Sequence, residues 1–406
     1  MNRVVVTGMG TVTSLGLDVN TTWNNMLNGQ SGVDNIRLFD ASKNETKIAA
    51  QVSDEFENEV NKICKVKIRR CMTRATRMMM LATDEAVKDS KYDFKKMENP
   101  VRAATIVGVV SAGYTDMERQ KSTANLIVKS MANAAPGWIS ISYGIKGPSF
   151  SVSTACASSA YAISLACNMI RYGMIDVAIV GGCDSSIEPD YIYGFNQIVA
   201  MSTNNSSPKE ASCPFSKNRR GFVMGEGAGA LILESENSAL NRNAKIYAEL
   251  SGCSFTSEAE HITAPAHDGI EMEKSMRYAL EDAKIDINQV DYINAHGTST
   301  KLNDKCETLA IKKLFKERSY SIPISSCKSM IGHTIAACGA IEAIITIKSI
   351  NEGMLIPTIN YNIPDEELDL DYVPNHSRKH KVNVAISNSF GFGGHNATLV
   401  FSKYKK

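Results

Sequence analysis

Cys156 lies in the run Ser153-Thr154-Ala155-Cys156-Ala157-Ser158, small and polar ahead of the cysteine and largely apolar behind it. No formally charged side chain follows until Arg171, which predicts a buried helix over 155–172 with the cysteine near its N-terminus. The positive end of a helix stabilises a thiolate and lowers the thiol pKa, so Cys156 reads as an activated nucleophile. Two later segments offer it partners. Ala295-His296-Gly297-Thr298-Ser299-Thr300 ends a strand-like run with a histidine, turn-formers and hydroxyls. Lys328 and His333 stand five apart, just before the apolar helical run 335–347. The stretch Gly391-Phe392-Gly393-Gly394 could expose backbone N–H groups to a developing oxyanion, or simply close a hairpin. Each histidine alone reads better as a satisfied structural residue. Together with a cysteine nucleophile and the loop at 391–394, the balance reverses and the two histidines read as its catalytic partners. His261, His267, His376, His380 and His395 lack such a setting.

These residues need a scaffold of alternating elements. Strand-like runs fall at 4–7, 104–110, 177–181, 230–233, 246–253, 292–295, 322–325, 384–387 and 397–401. Helix-like runs fall at 21–27, 73–89, 155–172, 269–282, 306–315 and 336–352. The alternation predicts an α/β fold, and strands apolar on both faces predict sheets covered on both sides. The pattern recurs on either side of a polar seam at 237–243, which suggests a pseudo-repeat. Pro136, Pro148, Pro208, Pro214 and Pro265 mark loops. Gly8 and Gly10 resemble a dinucleotide-binding turn, but Thr13 stands where a third glycine is needed. The glycines at 225, 227 and 229 precede a strand rather than a helix, so they offer no phosphate cradle and read as a tight backbone crossing.

At 406 residues the chain holds two or three domains by a prior of ~100–200 residues each. With 43% hydrophobic and 21% charged residues it can bury a large core, which excludes global disorder. A net charge of +1 excludes nucleic-acid binding as a whole-protein property. The N-terminus lacks a signal-peptide layout, and the longest apolar run carries Ser158, Ser159, Ser164 and Asn168, so no membrane span and a cytoplasmic location are expected. The ten cysteines include no Cys-x-x-Cys pair, so no metal site is expected, and those other than Cys156 read as small buried hydrophobes or surface thiols.

Together, Ser153 to Ser158, Ala295 to Thr300, Lys328-Ser329-Met330-Ile331-Gly332-His333 and Asn388 to Asn396 resemble the β-ketoacyl-acyl-carrier-protein synthases of the type II elongating group and the related ketosynthase α-subunits of type II polyketide systems. The resemblance runs from Val4 to Asn396. It implies the thiolase fold, a five-layered α-β-α-β-α core of two similar halves, 1–240 with the nucleophile and 241–406 with the histidines. It implies that an acyl group on Cys156 condenses with a malonyl unit after decarboxylation, with His296 and His333 donating N–H bonds to the enolate oxygen. The N–H groups of Cys156 and Phe392 would hold the tetrahedral oxyanion, and Lys328 would order the site through a pair with Glu307. Phe392 would gate the pocket and Phe390 line it, with Gly391, Gly393, Gly394, Thr298 and Thr300 in support. No cofactor is implied beyond the phosphopantetheine arm of the acyl carrier protein. The implied assembly is a homodimer, or a heterodimer with a chain-length-determining subunit.

Lys62, Lys65, Lys67, Arg69, Arg70 and Arg74 form a basic run, which is either a solvated face or, because carrier proteins are acidic, a docking patch. Two departures bear on the pathway. Lys301-Leu302-Asn303 stands ahead of Asp304 where fatty-acid synthases usually show proline and then glycine before the acidic residue, and Ser216 and Arg220 stand where aspartates are usual. Both favour a specialised polyketide or polyene system over housekeeping fatty-acid elongation. A degradative thiolase would need a second cysteine near the C-terminal loop, and 388–396 holds none.

Overall fold

The computed structural model describes residues 1–111 and 125–405. The first half of the large sheet contains β1 (Val4–Val12), β2 (Ala103–Gly108), β3 (Ser149–Val152), β4 (Val177–Asp184) and β5 (Gly227–Ser235). Helices α1 (Arg74–Ser90), α2 (Ala134–Tyr143) and α3 (Ser158–Arg171) connect them. The second half contains β6 (Ala248–Ser257), β7 (Tyr292–Asn294), β8 (Ile324–Ser325), β9 (Val384–Gly391) and β10 (His395–Ser402), with α4 (Ile270–Ala283), α5 (Lys301–Phe315) and α6 (Cys338–Glu352).

The ten strands are ordered β8-β7-β9-β10-β6-β1-β5-β4-β2-β3. Within each half the pairing is the same. β2 runs parallel to β3 and β4, and β5 runs antiparallel to β4 and β1. β7 runs parallel to β8 and β9, and β10 runs antiparallel to β9 and β6. The halves join where Val5 and Val6 of β1 pair with Glu249 and Ala248 of β6.

Three cores follow from this layering. α1 and α2 cover the outer face of the first half through Met78, Met79, Ala82 and Ile139. α4 and α5 cover the second half through Met276, Leu280, Ile311 and Leu314. Between them α3 and α6 bury Ile163, Ile170, Ile344 and Ile347 against strands of both halves, completing the α-β-α-β-α order. Each such side chain contributes about 1.5–3 kcal/mol on burial, so a charge at Ile344 would split the central layer. Among the described residues no helix is long and apolar enough to cross a membrane.

Several boundaries differ from the sequence reading. β1 continues to Val12, and Gly8 and Gly10 lie within it. A Cβ on Gly10 would stand 2.0 Å from the Ala82 oxygen, so this glycine admits α1 rather than a nucleotide. The edge strand β3 and helix α2 were not expected: β3 has only four residues, two of them serine, and α2 contains Pro136, which reads as a loop marker. Pro136 lies in the first turn of α2, where a missing N–H costs no hydrogen bond. α5 begins at Lys301, where the Thr300 hydroxyl accepts the Asn303 N–H and caps it.

Candidate active site

Cys156 sits between β3 and α3, two residues before the helix begins at Ser158. The turn is tight. Ala155 has φ +48°, the Ala157 N–H donates to Thr154 O at 3.0 Å, and the Ser158 hydroxyl donates to Ala155 O at 2.6 Å. A residue with a side chain reaches that region only under constraint from its neighbours. The thiol does not have the lowered pKa expected of a helix start. Burial pushes it up to about 12, while Lys328 and the Phe392 N–H pull the other way. Removing the sulfur from water outweighs the helix end.

His333 approaches from the turn between β8 and α6. Its Nε2 lies 2.9 Å from Cys156 Sγ, and the Ile335 N–H donates to its Nδ1 at 3.3 Å. A ring nitrogen that accepts has no proton, so the donors around His333 assign its proton to Nε2. His296 follows β7. Its Nδ1 lies 3.4 Å from the Lys328 ammonium, a group that can only donate. That assigns the His296 proton to Nε2 as well. Burial holds both imidazoles well below the ordinary histidine pKa, and the Lys328 charge adds to it. Both rings are therefore neutral donors. The ligating atoms of Cys156, His296 and His333 lie within 4.8 Å of one another.

Lys328 does not pair with Glu307. It pairs with Glu342, and both side chains are 1% exposed. Burial works against the ammonium, but the Glu342 carboxylate outweighs it and keeps Lys328 charged. Glu342 reaches the lysine because α6 packs directly behind the Lys328 turn. Glu307, on α5, instead accepts the N–H groups of His296 and Gly297, each at 2.8 Å, and the Asn388 amide at 3.2 Å. It shapes the His296 loop rather than the lysine. Burial pushes it up to about 7. Thr298 and Thr300 share a hydroxyl contact of 2.9 Å in the same loop.

The glycine-rich stretch is both a hairpin and part of the site. Gly393 and Gly394, at φ +82° and +72°, turn β9 into β10. Phe392 presents its backbone N–H to the Cys156 sulfur and its ring to Phe195 at 6.3 Å between centroids. Gly391 lies against the nucleophile turn, where a Cβ would stand 3.0 Å from Cys156 N. Phe390 is buried 6.0 Å from the His296 ring. Phe195 and Phe222 extend this aromatic wall to His333 and were missed from the sequence, since nothing local marks them. Cys338, read as a plain hydrophobe, donates to Cys156 O at 3.2 Å.

The basic run divides. Lys62, Lys65, Lys67 and Arg70 are exposed, Arg69 is half-buried, and Lys62 also pairs with Glu59. Arg74 does not belong to this surface. Its guanidinium turns inward to the fully buried Glu226, which also accepts from Ser185 and the Val52 N–H. A cation was needed there, because an unpaired buried carboxylate is costly.

Comparison with known proteins accords with this geometry. The N-terminal domain of beta-ketoacyl synthases matches residues 1–239, and their C-terminal domain matches 247–362. The chain belongs to the β-ketoacyl synthase family. It is 40% identical over 413 residues to 3-oxoacyl-[acyl-carrier-protein] synthase 2 of Synechocystis, covering 99% of this chain and 98% of that one. It is 40% identical over 417 residues to the chloroplastic synthase I of Arabidopsis thaliana, covering 99% and 87%. Among solved structures, a type II polyketide ketosynthase in complex with its acyl-carrier protein superposes with TM-score 0.90 at 31% identity, covering 99% of this chain and all of that one. The ishigamide ketosynthase/chain length factor superposes with TM-score 0.90 at 30% identity over the whole of both chains. The thiolase fold of this β-ketoacyl synthase thus has the five-layered core described above.

Proposed function

We propose that this β-ketoacyl synthase joins an acyl group held on Cys156 to a malonyl unit carried by acyl carrier protein. The observation that carries the reading is the pair of neutral Nε2–H imidazoles, His296 and His333, grouped with one buried thiol.

The steps balance on these groups. Cys156 sulfur attacks the acyl thioester, and its proton passes to the departing thiolate of the phosphopantetheine arm. The N–H groups of Cys156 and Phe392 receive the tetrahedral oxyanion. The emptied carrier leaves and malonyl-carrier enters. Its carboxylate departs as carbon dioxide, and the electron pair moves into the thioester enolate, whose oxygen accepts from His296 and His333. The enolate carbon attacks the acyl-Cys156 carbonyl. Collapse releases β-ketoacyl-carrier and the Cys156 thiolate, which takes one proton from solvent. No cofactor is needed beyond the carrier's arm.

The exposed Lys65, Lys67 and Arg70 receive the acidic carrier protein in this reading. We assign the enzyme to specialised chain building, as the acyl-holding subunit beside a nonidentical chain, on the departures at 301–303 and at Arg220. Asn303 is buried, whereas Lys301 and Arg220 are exposed. The exposed changes are therefore the ones available to a partner. Housekeeping elongation by a homodimer is the second reading. A catalytically silent partner subunit is disfavoured by the intact Cys156, His296 and His333. Expressing the chain alone and with candidate partner chains, then following malonyl-carrier extension by mass spectrometry, separates these. Full activity of the lone chain favours the homodimer, and activity only with a partner favours the specialised reading.

A further inference from the structure

The two halves correspond element by element, in the order strand, helix, strand, helix, strand, helix and two strands. β4 and β9 each have eight residues, so Asp184 corresponds to Gly391. α3 begins at Ser158 and α6 at Cys338, so Cys156 corresponds to Ala336. Ala155 and Ile335 then also correspond, and both have positive φ, +48° and +46°.

At Gly391 the missing side chain leaves the Cys156 N–H uncovered. A Cβ there would stand 3.0 Å from that nitrogen and 2.9 Å from Thr154 O. The matching place in the other half is filled. Asp184 is fully buried; its carboxylate accepts the Ser186 hydroxyl and the Ser111 N–H, the latter at 3.5 Å, and faces the backbone N–H groups of Ala336 and Ser186. Two residues earlier on the same strand face, Gly182 makes room for the other end of Ala336: a Cβ there would stand 2.5 Å from Ala336 O. β4 thus faces Ala336 at its nitrogen through Asp184 and packs closely on its oxygen at Gly182. The neighbouring Ile335 is β-branched at positive φ, a conformation that persists only where the surroundings impose it. In that conformation its N–H donates to His333 Nδ1.

We propose that Asp184 is a positioning residue for the condensation: its carboxylate covers the Ala336 N–H as a substrate oxygen would cover the Cys156 N–H, fixes the Ile335 turn, and so keeps His333 in its Nε2–H form. This rests on the role given to His333 above. One half of the fold leaves its turn open for substrate, and the other closes the same turn with an internal carboxylate.

The test uses the full-length protein carrying ¹⁵N-histidine, at pH 8, with the His333 signals assigned by loss in His333→Ala. In the wild type, His333 shows one tautomer with the proton on Nε2. In Asp184→Ala, a mixture of tautomers is expected, with kcat for malonyl-carrier condensation down about tenfold or more and acylation of Cys156 within about threefold of wild type. Asp184→Asn places an amide donor against N–H donors and keeps the volume. It shows the same split to a smaller degree and carries the test if the alanine variant does not fold. A folded variant that keeps the single Nε2–H tautomer and the wild-type kcat overturns the proposal, as does an equal fall in acylation and condensation. If the wild type performs no condensation at all, the functional reading fails, while the tautomer spectra still decide the role of Asp184.

Discussion

The Lys328 ammonium lies 3.4 Å from His296 Nδ1, and this contact makes His296 a hydrogen-bond donor toward substrate rather than a base. A buried base titrating near the ordinary histidine pKa would impose an acid limb on the rate. Because both imidazoles are held well below that value, neither ring should take up a proton through pH 6.5, whereas Glu307, raised to about 7, should. A titration of the ¹⁵N-histidine signals checks this, and a His296 or His333 step near pH 6.5 would contradict the donor role.

Removing the charge should release the tautomer. Lys328→Ala is expected to lower kcat for decarboxylation about 10–100-fold, with Lys328→Arg recovering part of it because a donor remains. Cys156 acylation should fall less than decarboxylation in both, measured by intact-protein mass. Equal losses in the two half-reactions would assign Lys328 to general packing.

The two glutamates should separate by what they hold. Glu342→Ala leaves the buried Lys328 ammonium without its carboxylate, so urea unfolding should show a loss of about 3–5 kcal/mol. Glu307→Gln keeps one acceptor oxygen for the His296 and Gly297 N–H groups, and should cost less stability while still lowering kcat. The opposite order would return Glu307 to the lysine.

That pairing also marks how far the sequence could be read. Cys156, His296, His333 and the hairpin at 391–394 were legible because residue type, turn-formers and neighbouring apolar runs carry their chemistry. The Lys328 partner was not, because packing of α6 behind the turn decides it. A signal existed: Glu342 is the lone carboxylate within an isoleucine-rich run, and burial of such a charge demands a partner. Asp184 was missed because the strand-like run was ended at Gly181, three residues short of the end of β4. The Cys156 pKa was misread because burial is a tertiary property and the helix end a local one. The layered α/β fold was visible in the alternation of runs, whereas β3 was too short and polar to register.

Stability should respond to pH through Glu307. Its carboxyl is raised from 4.5 to about 7, so between those values the folded state binds more protons than the unfolded state. The contribution is full below pH 4.5 and is lost as pH rises toward about 7. His296 and His333 act in the opposite sense: being depressed, they contribute above pH 6.5 and lose that contribution as pH falls. Comparing wild type with Glu307→Gln cancels the histidines. The stability difference should shift toward the variant by up to about 3 kcal/mol between pH 4.5 and 7, read by urea unfolding. A difference independent of pH would refute the raised carboxyl.

Charge reversal should divide the basic run. Lys67→Glu with Arg70→Glu is expected to raise KM for carrier-bound substrate about tenfold at low salt, with the gap narrowing at high salt and kcat unchanged. Arg74→Glu should instead destabilise the fold, because it sets a second carboxylate against buried Glu226. Thermal unfolding and steady-state kinetics of the two variants check this, and unchanged KM in the double reversal would remove the docking role.

The central claim is that Cys156 carries the acyl group that a malonyl unit then extends. Intact-protein mass spectrometry with acyl-carrier, followed by ¹³C-malonyl-carrier, measures both halves in one experiment. The account predicts one acyl adduct on Cys156, absent in Cys156→Ala, that disappears on adding malonyl-carrier as labelled β-ketoacyl-carrier and carbon dioxide form. An adduct that persists in Cys156→Ala, or one on Cys156 that malonyl-carrier fails to discharge, would contradict it.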